Sequence, residues 1–184
     1  MSINKEAYQQ IKEYCNARNV SLVAVSKTKP MADLMVLYAL GQRDFGENYV
    51  QELLEKYEAL PKDIRWHFIG HLQTNKVKLI APFVHLIHGV DSEKLLIEID
   101  KQGQKINKII DCLLQVFIAK EDTKFGMDEQ EVANVETNKY ANVQIKGLMG
   151  MASNTDNKAI VKNEFENLCG IFKKSYIVHP TSNI

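Results

Sequence analysis

Short, β-branched apolar runs alternate with helical segments along this chain, and that alternation constrains the fold more than any other feature. The first run, Ser21-Leu-Val-Ala-Val-Ser26, lacks clean polar alternation and suits a strand buried on both faces. A helix is predicted from Pro30, with Met31, Leu34 and Tyr38 at helical intervals and Gly41 to close it. Arg43–Gly46 reads as a second strand, followed by a helix over 49–58 with Val50, Leu53, Leu54 and Tyr57 on one face. Arg65–Gly70 reads as the third strand and Asn75–Phe83 as a short helix. His85–Val90 is the fourth strand, and Asp91 or Ser92 can cap the helix that carries Leu95, Leu96 and Ile99. Asp111–Ile118 is the clearest strand; a weaker helix lies in 128–140 and a sixth strand runs through Val143–Leu148. The last helix carries Val161, Phe165, Leu168 and Phe172, and an additional helix over 4–17 (Tyr8, Ile11, Cys15) precedes the first strand.

Strands alternating with helices at intervals of roughly 20 to 30 residues imply a parallel sheet. An open doubly wound sheet and a (β/α)8 barrel both satisfy the pattern. No Gly-x-Gly-x-x-Gly follows the first strand, so the dinucleotide-binding version of the open sheet is not supported. At 184 residues, with no linker or low-complexity tract, the chain is expected to form one domain.

Composition narrows the function classes. Lys plus Arg (23) balances Asp plus Glu (23), so no net field favours nucleic acid or an anionic membrane. Arg18, Arg43 and Arg65 are the only arginines, which weakens a phosphate-backbone reading further. Cys15, Cys112 and Cys169 fit neither a disulfide framework nor a metal-binding spacing and point to a reducing compartment. Lys5, Glu6, Lys12 and Glu13 break any signal-peptide core, and no apolar run approaches the about 20 residues of a spanning helix. The expectation is a soluble, cytoplasmic protein.

Ligands of parallel α/β folds bind at the carboxyl ends of the strands. Here those ends read Ser26-Lys-Thr-Lys29, Phe45-Gly-Glu-Asn-Tyr49, His67-Phe-Ile-Gly-His-Leu-Gln-Thr-Asn-Lys76 and Gly147-Leu-Met-Gly-Met-Ala-Ser153. A lysine at the end of a buried strand, as Lys27 is, sits where desolvation favours the neutral amine that attacks an aldehyde. The alternative is a lysine that snorkels to solvent. Asn48 can face a planar ligand with its amide, and it can equally cap the helix over 49–58, which is the stronger local reading. His67 and His71 fall across a strand and its loop with no Glu after His67, so a zinc site is not expected and His67 reads as a hydrogen-bonded barrel residue. His85 and His88 read as structural. Gly147, Met149 and Gly150 leave room for a ligand, although packing explains them as well.

Taken in order, several stretches resemble the pyridoxal phosphate homeostasis protein family (the YggS/PROSC type). They are Leu22-Val-Ala-Val-Ser-Lys-Thr-Lys-Pro30, Phe45-Gly-Glu-Asn-Tyr-Val-Gln-Glu52, Trp66-His-Phe-Ile-Gly-His-Leu-Gln-Thr-Asn-Lys76, Lys124-Phe-Gly126 and Gly147-Leu-Met149. The resemblance covers essentially the whole chain. It implies an α/β barrel of the TIM type, similar to the N-terminal domain of alanine racemase, here with about six of the eight βα units. It also implies pyridoxal 5′-phosphate (PLP) held as a Schiff base on Lys27, with Asn48 near the cofactor and Met149 in the stretch lining its pocket. The implied role is to buffer or deliver the cofactor to PLP-dependent apo-enzymes, without established catalysis.

One departure accompanies the resemblance. The family continues with a Ser-x-Gly-Met-Ser stretch and with Gly-Ser-Thr and Val-Arg-Ile-Gly stretches that supply most of the phosphate cradle and an arginine facing the pyridine nitrogen. This sequence stops at Ser182-Asn-Ile184 and has no arginine after Arg65. The expectation is therefore a barrel incomplete at its C-terminus, with weakened phosphate anchoring and strand edges open to pairing; a complete barrel would be a monomer. A small PLP enzyme such as an amino-acid racemase is the alternative function, and a cofactor-free barrel fragment is another. The racemase reading needs a second acid/base group that the spacing does not identify.

Overall fold

The computed structural model describes residues 3–119 and 126–175. The Lys124-Phe125 pair and the closing Ser182-Asn-Ile184 lie outside these residues. The chain divides into two compact units, one running to Ile69 and the other from Gly70.

The first unit opens with α1 (Lys5–Asn16), whose N-cap Asn4 accepts the Ala7 amide at 3.0 Å. It continues through β1 (Ala24–Val25), α2 (Met31–Ala39), β2 (Asp44–Glu47), α3 (Val50–Ala59) and β3 (Arg65–Phe68). The pairings β1–β2 and β2–β3 are parallel, in register at Val25 with Gly46 and at Phe45 with Trp66. Strand β1 is shorter than the Ser21–Ser26 run predicts: only Ala24 and Val25 pair with β2. Phe45, Trp66 and Phe68 point into the core with Leu34 and Leu53, all nearly fully buried. The Phe45 and Trp66 rings meet at 6.1 Å in a tilted arrangement.

The second unit contains a 3-10 turn at Thr74–Lys76, α4 (Val77–Ile80), β4 (Leu86–Val90), α5 (Glu93–Ile106), β5 (Ile110–Val116), α6 (Glu129–Ala133), a 3-10 turn at Thr137–Lys139, β6 (Val143–Gly150) and α7 (Lys158–Lys174). Strands β4, β5 and β6 again pair in parallel. Ser92 rather than Asp91 caps α5, accepting the Leu95 amide, and left-handed Asn107 ends that helix. At Gly103 the helix approaches so closely that an added Cβ would lie 2.7 Å from the Lys108 carbonyl oxygen and 2.8 Å from Asn142 Cβ. Asp100 accepts the Asn142 amide there at 2.7 Å, fixing α5 against the start of β6.

Two expectations change in this unit. The helix sought in 128–140 is split into α6 and the turn at Thr137–Lys139, with a full capping box at Asp128 and Glu131 defining its start. In α7 three of the four expected apolar positions, Val161, Leu168 and Phe172, are half-buried, whereas Phe165 is exposed and the fully buried residues are Glu164 and Ile171. Glu164 is buried because it turns back to bind the Ser153 amide at 2.7 Å and the Ser153 hydroxyl at 2.6 Å. Leu168 and Phe172 lie against Gly150 and Gly147 of β6, so the inward face joins that hydrogen bond to apolar packing.

Candidate functional site

Beyond Val25 the chain of the first unit makes a four-residue turn, Ser26-Lys-Thr-Lys29, closed by the Lys29 amide donating to the Ser26 carbonyl at 3.1 Å. Lys27 occupies the second position of this turn. It is exposed, so the expected desolvation of the amine is not provided by the described residues: β1 ends two residues earlier and the turn carries the side chain clear of the core. Among the described residues the Lys27 side chain has no hydrogen-bond or ion-pair partner.

Lys27 lies two residues past the end of β1 and Asn48 one residue past the end of β2, so both stand just beyond the carboxyl ends of neighbouring paired strands. The helix-cap reading of Asn48 is corrected by the structure. Tyr49 is the N-cap of α3 and no side chain caps that helix. Asn48 is half-buried, and among the described residues its amide makes no hydrogen bond. Met149 belongs to the second unit, half-buried on β6 opposite Gln115 of β5. Gly126, the described end of the Lys124-Phe-Gly stretch, has φ +149°, and an added Cβ would lie 2.6 Å from the Phe117 amide nitrogen.

Under the Lys27 turn lies a polar cluster that the sequence reading passed over. Glu47, the last residue of β2, and Lys56 of α3 are both almost completely buried and paired at 2.7 Å. The Lys56 Nζ also donates to the Ser26 carbonyl and to Glu52, each at 2.7 Å. The Ser26 hydroxyl donates to Glu47 at 2.6 Å, and the Thr28 amide donates to Glu52 at 2.6 Å. Burial pushes the Glu47 carboxyl above its ordinary range, against the pull of Lys56 and Ser26. Its second oxygen, Oε2, is buried without a partner among the described residues. The sequence signal for this cluster was the Glu52/Lys56 pair at i, i+4, a spacing that ordinarily marks a solvated helix face.

Two of the five histidines are seen against aspartates. His67 is buried and lies 3.0 Å from Asp44 through its Nε2, as a hydrogen-bonded strand residue should. His71, in the loop after β3, meets Asp91 at 2.9 Å through its Nδ1, beside a polar cleft that Thr74, Asn75, Ser92 and Lys94 help to line.

Comparison with known proteins bears on both fold and site. Residues 4–178 match the family model described as the N-terminal domain of alanine racemase. The chain is 41% identical over 150 residues to a pyridoxal phosphate homeostasis protein of Schizosaccharomyces pombe, covering 78% of this chain and 62% of that protein. It is 34% identical over 185 residues to one of Pasteurella multocida, covering 98% of this chain and 78% of that protein. Among solved structures it resembles PipY of Synechococcus elongatus with PLP bound, at a TM-score of 0.78 and 31% identity, over 92% of this chain and 82% of that one.

Proposed function

The chain belongs to the alanine racemase N-terminal domain family and, within it, to the pyridoxal phosphate homeostasis proteins; from that premise we propose that it binds PLP through Lys27 and serves cofactor homeostasis rather than substrate turnover. One observation of the molecule carries the reading. An amine (Lys27) and a side-chain amide (Asn48), both without hydrogen-bond partners among the described residues, stand just beyond the ends of neighbouring strands, beside a turn whose Ser26 and Thr28 are held by Glu47, Lys56 and Glu52. Polar groups at a carboxyl strand end that the protein leaves unused are available to a ligand.

The residues present suit the cofactor. PLP supplies an aldehyde that condenses with an amine and an electron-withdrawing ring. Lys27 would hold the group through its amine, which would supply the nucleophile for a C=N bond to the aldehyde carbon, with the carbonyl oxygen lost as water. Asn48 would hydrogen-bond a ring substituent; Met149 enters the proposal from the family resemblance alone, as a residue of the stretch that lines the cofactor's pocket. Transfer to PLP-dependent apo-enzymes in the cytoplasm completes the proposed role. PipY, 31% identical to this chain, was solved with PLP bound, which supports the reading by similarity.

The test is direct. The protein is incubated with PLP, the visible absorption of the adduct is followed, and borohydride reduction with peptide mapping locates it. The expected result is one reduced adduct on Lys27, absent from Lys27→Ala. The same adduct in Lys27→Ala sinks the assignment, and racemisation or decarboxylation of amino acids at enzymatic rates sinks the non-catalytic role.

A further inference from the structure

Resting on the reading of Lys27 as the cofactor-bearing residue, we propose that Lys56, Glu52 and Glu47 are positioning residues: a buried clamp that fixes the Lys27 turn so that its amine is presented in one orientation.

The geometry is unusually complete. An ammonium group carries three donors. Those of Lys56 are matched by three acceptors, the Ser26 carbonyl, Glu47 and Glu52, all at 2.7 Å. A lysine so saturated and so buried is a fixed charge and not a second nucleophile. Its acceptors reach the residues on both sides of Lys27. Ser26 is held through its carbonyl by Lys56, through its hydroxyl by Glu47 and through its amide by the Gly46 carbonyl at 2.9 Å. Thr28 is held through its amide by Glu52. The residue between them has a side chain that nothing among the described residues restrains.

Thr28 supplies the reason to regard this as more than a structural ion pair. Its φ is +61°, in the left-handed region that β-branched residues avoid. As third residue of the turn it stands where glycine or asparagine is the ordinary choice. Backbone strain of this sort persists only where the surroundings over-determine it, and it collects at functional positions. Here the surroundings are the Glu52 carboxylate and, through it, Lys56. Without Glu52 the Thr28 amide loses its acceptor and the turn can relax, carrying Lys27 with it. Binding of a covalent ligand gains when the reacting group is held beforehand in a productive geometry.

The experiment uses the full chain and compares the parent with Glu52→Ala, Glu52→Gln and Glu52→Ala/Thr28→Asn, each first shown by urea unfolding to be folded. Two readouts are taken: the rate at which PLP is fixed on Lys27, and hydrogen exchange of the Thr28 amide. The expected result for Glu52→Ala is adduct formation slowed about tenfold, the scale of a released left-handed residue, with Thr28 exchange faster by a similar factor. Glu52→Gln, which keeps an acceptor oxygen, should remain close to the parent. Asparagine adopts the left-handed conformation readily, so Thr28→Asn should recover most of the lost rate. Adduct formation at the parent's rate in Glu52→Ala overturns the proposal, as does a double variant no faster than Glu52→Ala. If the parent itself fixes no PLP, the cofactor reading fails; Thr28 exchange, with acylation of Lys27 by acetic anhydride, then judges the clamp alone. Exchange and acylation unchanged in Glu52→Ala overturn the clamp as well.

Discussion

Strand β2 begins at Asp44 and finishes at Glu47, so one short strand carries a carboxylate to each end. At the start, Asp44 receives the Arg65 guanidinium, whose Nε lies at 2.6 Å, and His67 at 3.0 Å. Arg65 is half exposed, and water shares in the interaction. At the finish, Glu47 is sealed from solvent and meets Lys56, which is sealed as well. Desolvation pushes both carboxyls up. At Asp44 the hydrogen bonds from Arg65 and His67 outweigh it and hold the group below its ordinary range, whereas at Glu47 burial prevails and the group is raised. The difference teaches what each pair can do. An open pair adds modest stability, and a closed pair holds a geometry at an energetic cost that only intact partners offset.

The sharpest test of this contrast is to remove one cation from each end. Lys56→Met strands a buried carboxylate and should cost about 3–5 kcal/mol in urea unfolding. Arg65→Met leaves Asp44 within reach of water and should cost about 1 kcal/mol or less. Equal losses would break the comparison. Adding Glu47→Gln to Lys56→Met should recover most of the larger loss, because no buried charge then remains.

Titration should separate the ends in sign. The stability that Asp44 contributes is fully present above its unfolded value of 3.8 and is lost as pH falls through its lower folded value. The difference between parent and Asp44→Asn should therefore close below pH 3.8. Glu47 behaves oppositely. Its contribution is fully present below the unfolded value of 4.5 and is lost as pH rises through the raised folded value. Glu47→Gln should accordingly gain on the parent as pH climbs above 4.5, measured by denaturant midpoints across the range. The smallest effect is that of salt. Raising ionic strength to about 1 M should remove a few tenths of a kcal/mol from the Asp44–Arg65 contribution and leave the buried pair unaffected.

Much of the fold was legible because apolar periodicity reports which residues face a core. All six expected strands are present, within a few residues of the runs that predicted them, as are Ser92 as a cap and Gly41 as a helix terminator, with φ +85°. The failures have a common cause. Asn48 looked like a cap because local chemistry allows it, but the helix begins one residue later than expected, at Val50, with Tyr49 in the cap position. Phe165 looked buried because it sits at helical spacing from Val161 and Leu168, but Glu164 claims the inward face through Ser153. Lys27 looked desolvated because the run before it is apolar, but pairing stops at Val25 and a turn intervenes.

Sequence by itself determined the order of elements, the parallel α/β class and the family to which the chain belongs, since these rest on local pattern and on runs of matching residues. Tertiary structure alone decided the environment of each polar group. Glu52 and Lys56, four residues apart, read as an ordinary exposed helix pair; only the packing of α3 beneath the ends of β1 and β2 turns Lys56 inward, against Glu47 and Ser26. The reason is physical: periodicity records what a side chain contributes to burial, whereas the energy of a charge depends on partners and solvent brought together by distant parts of the chain.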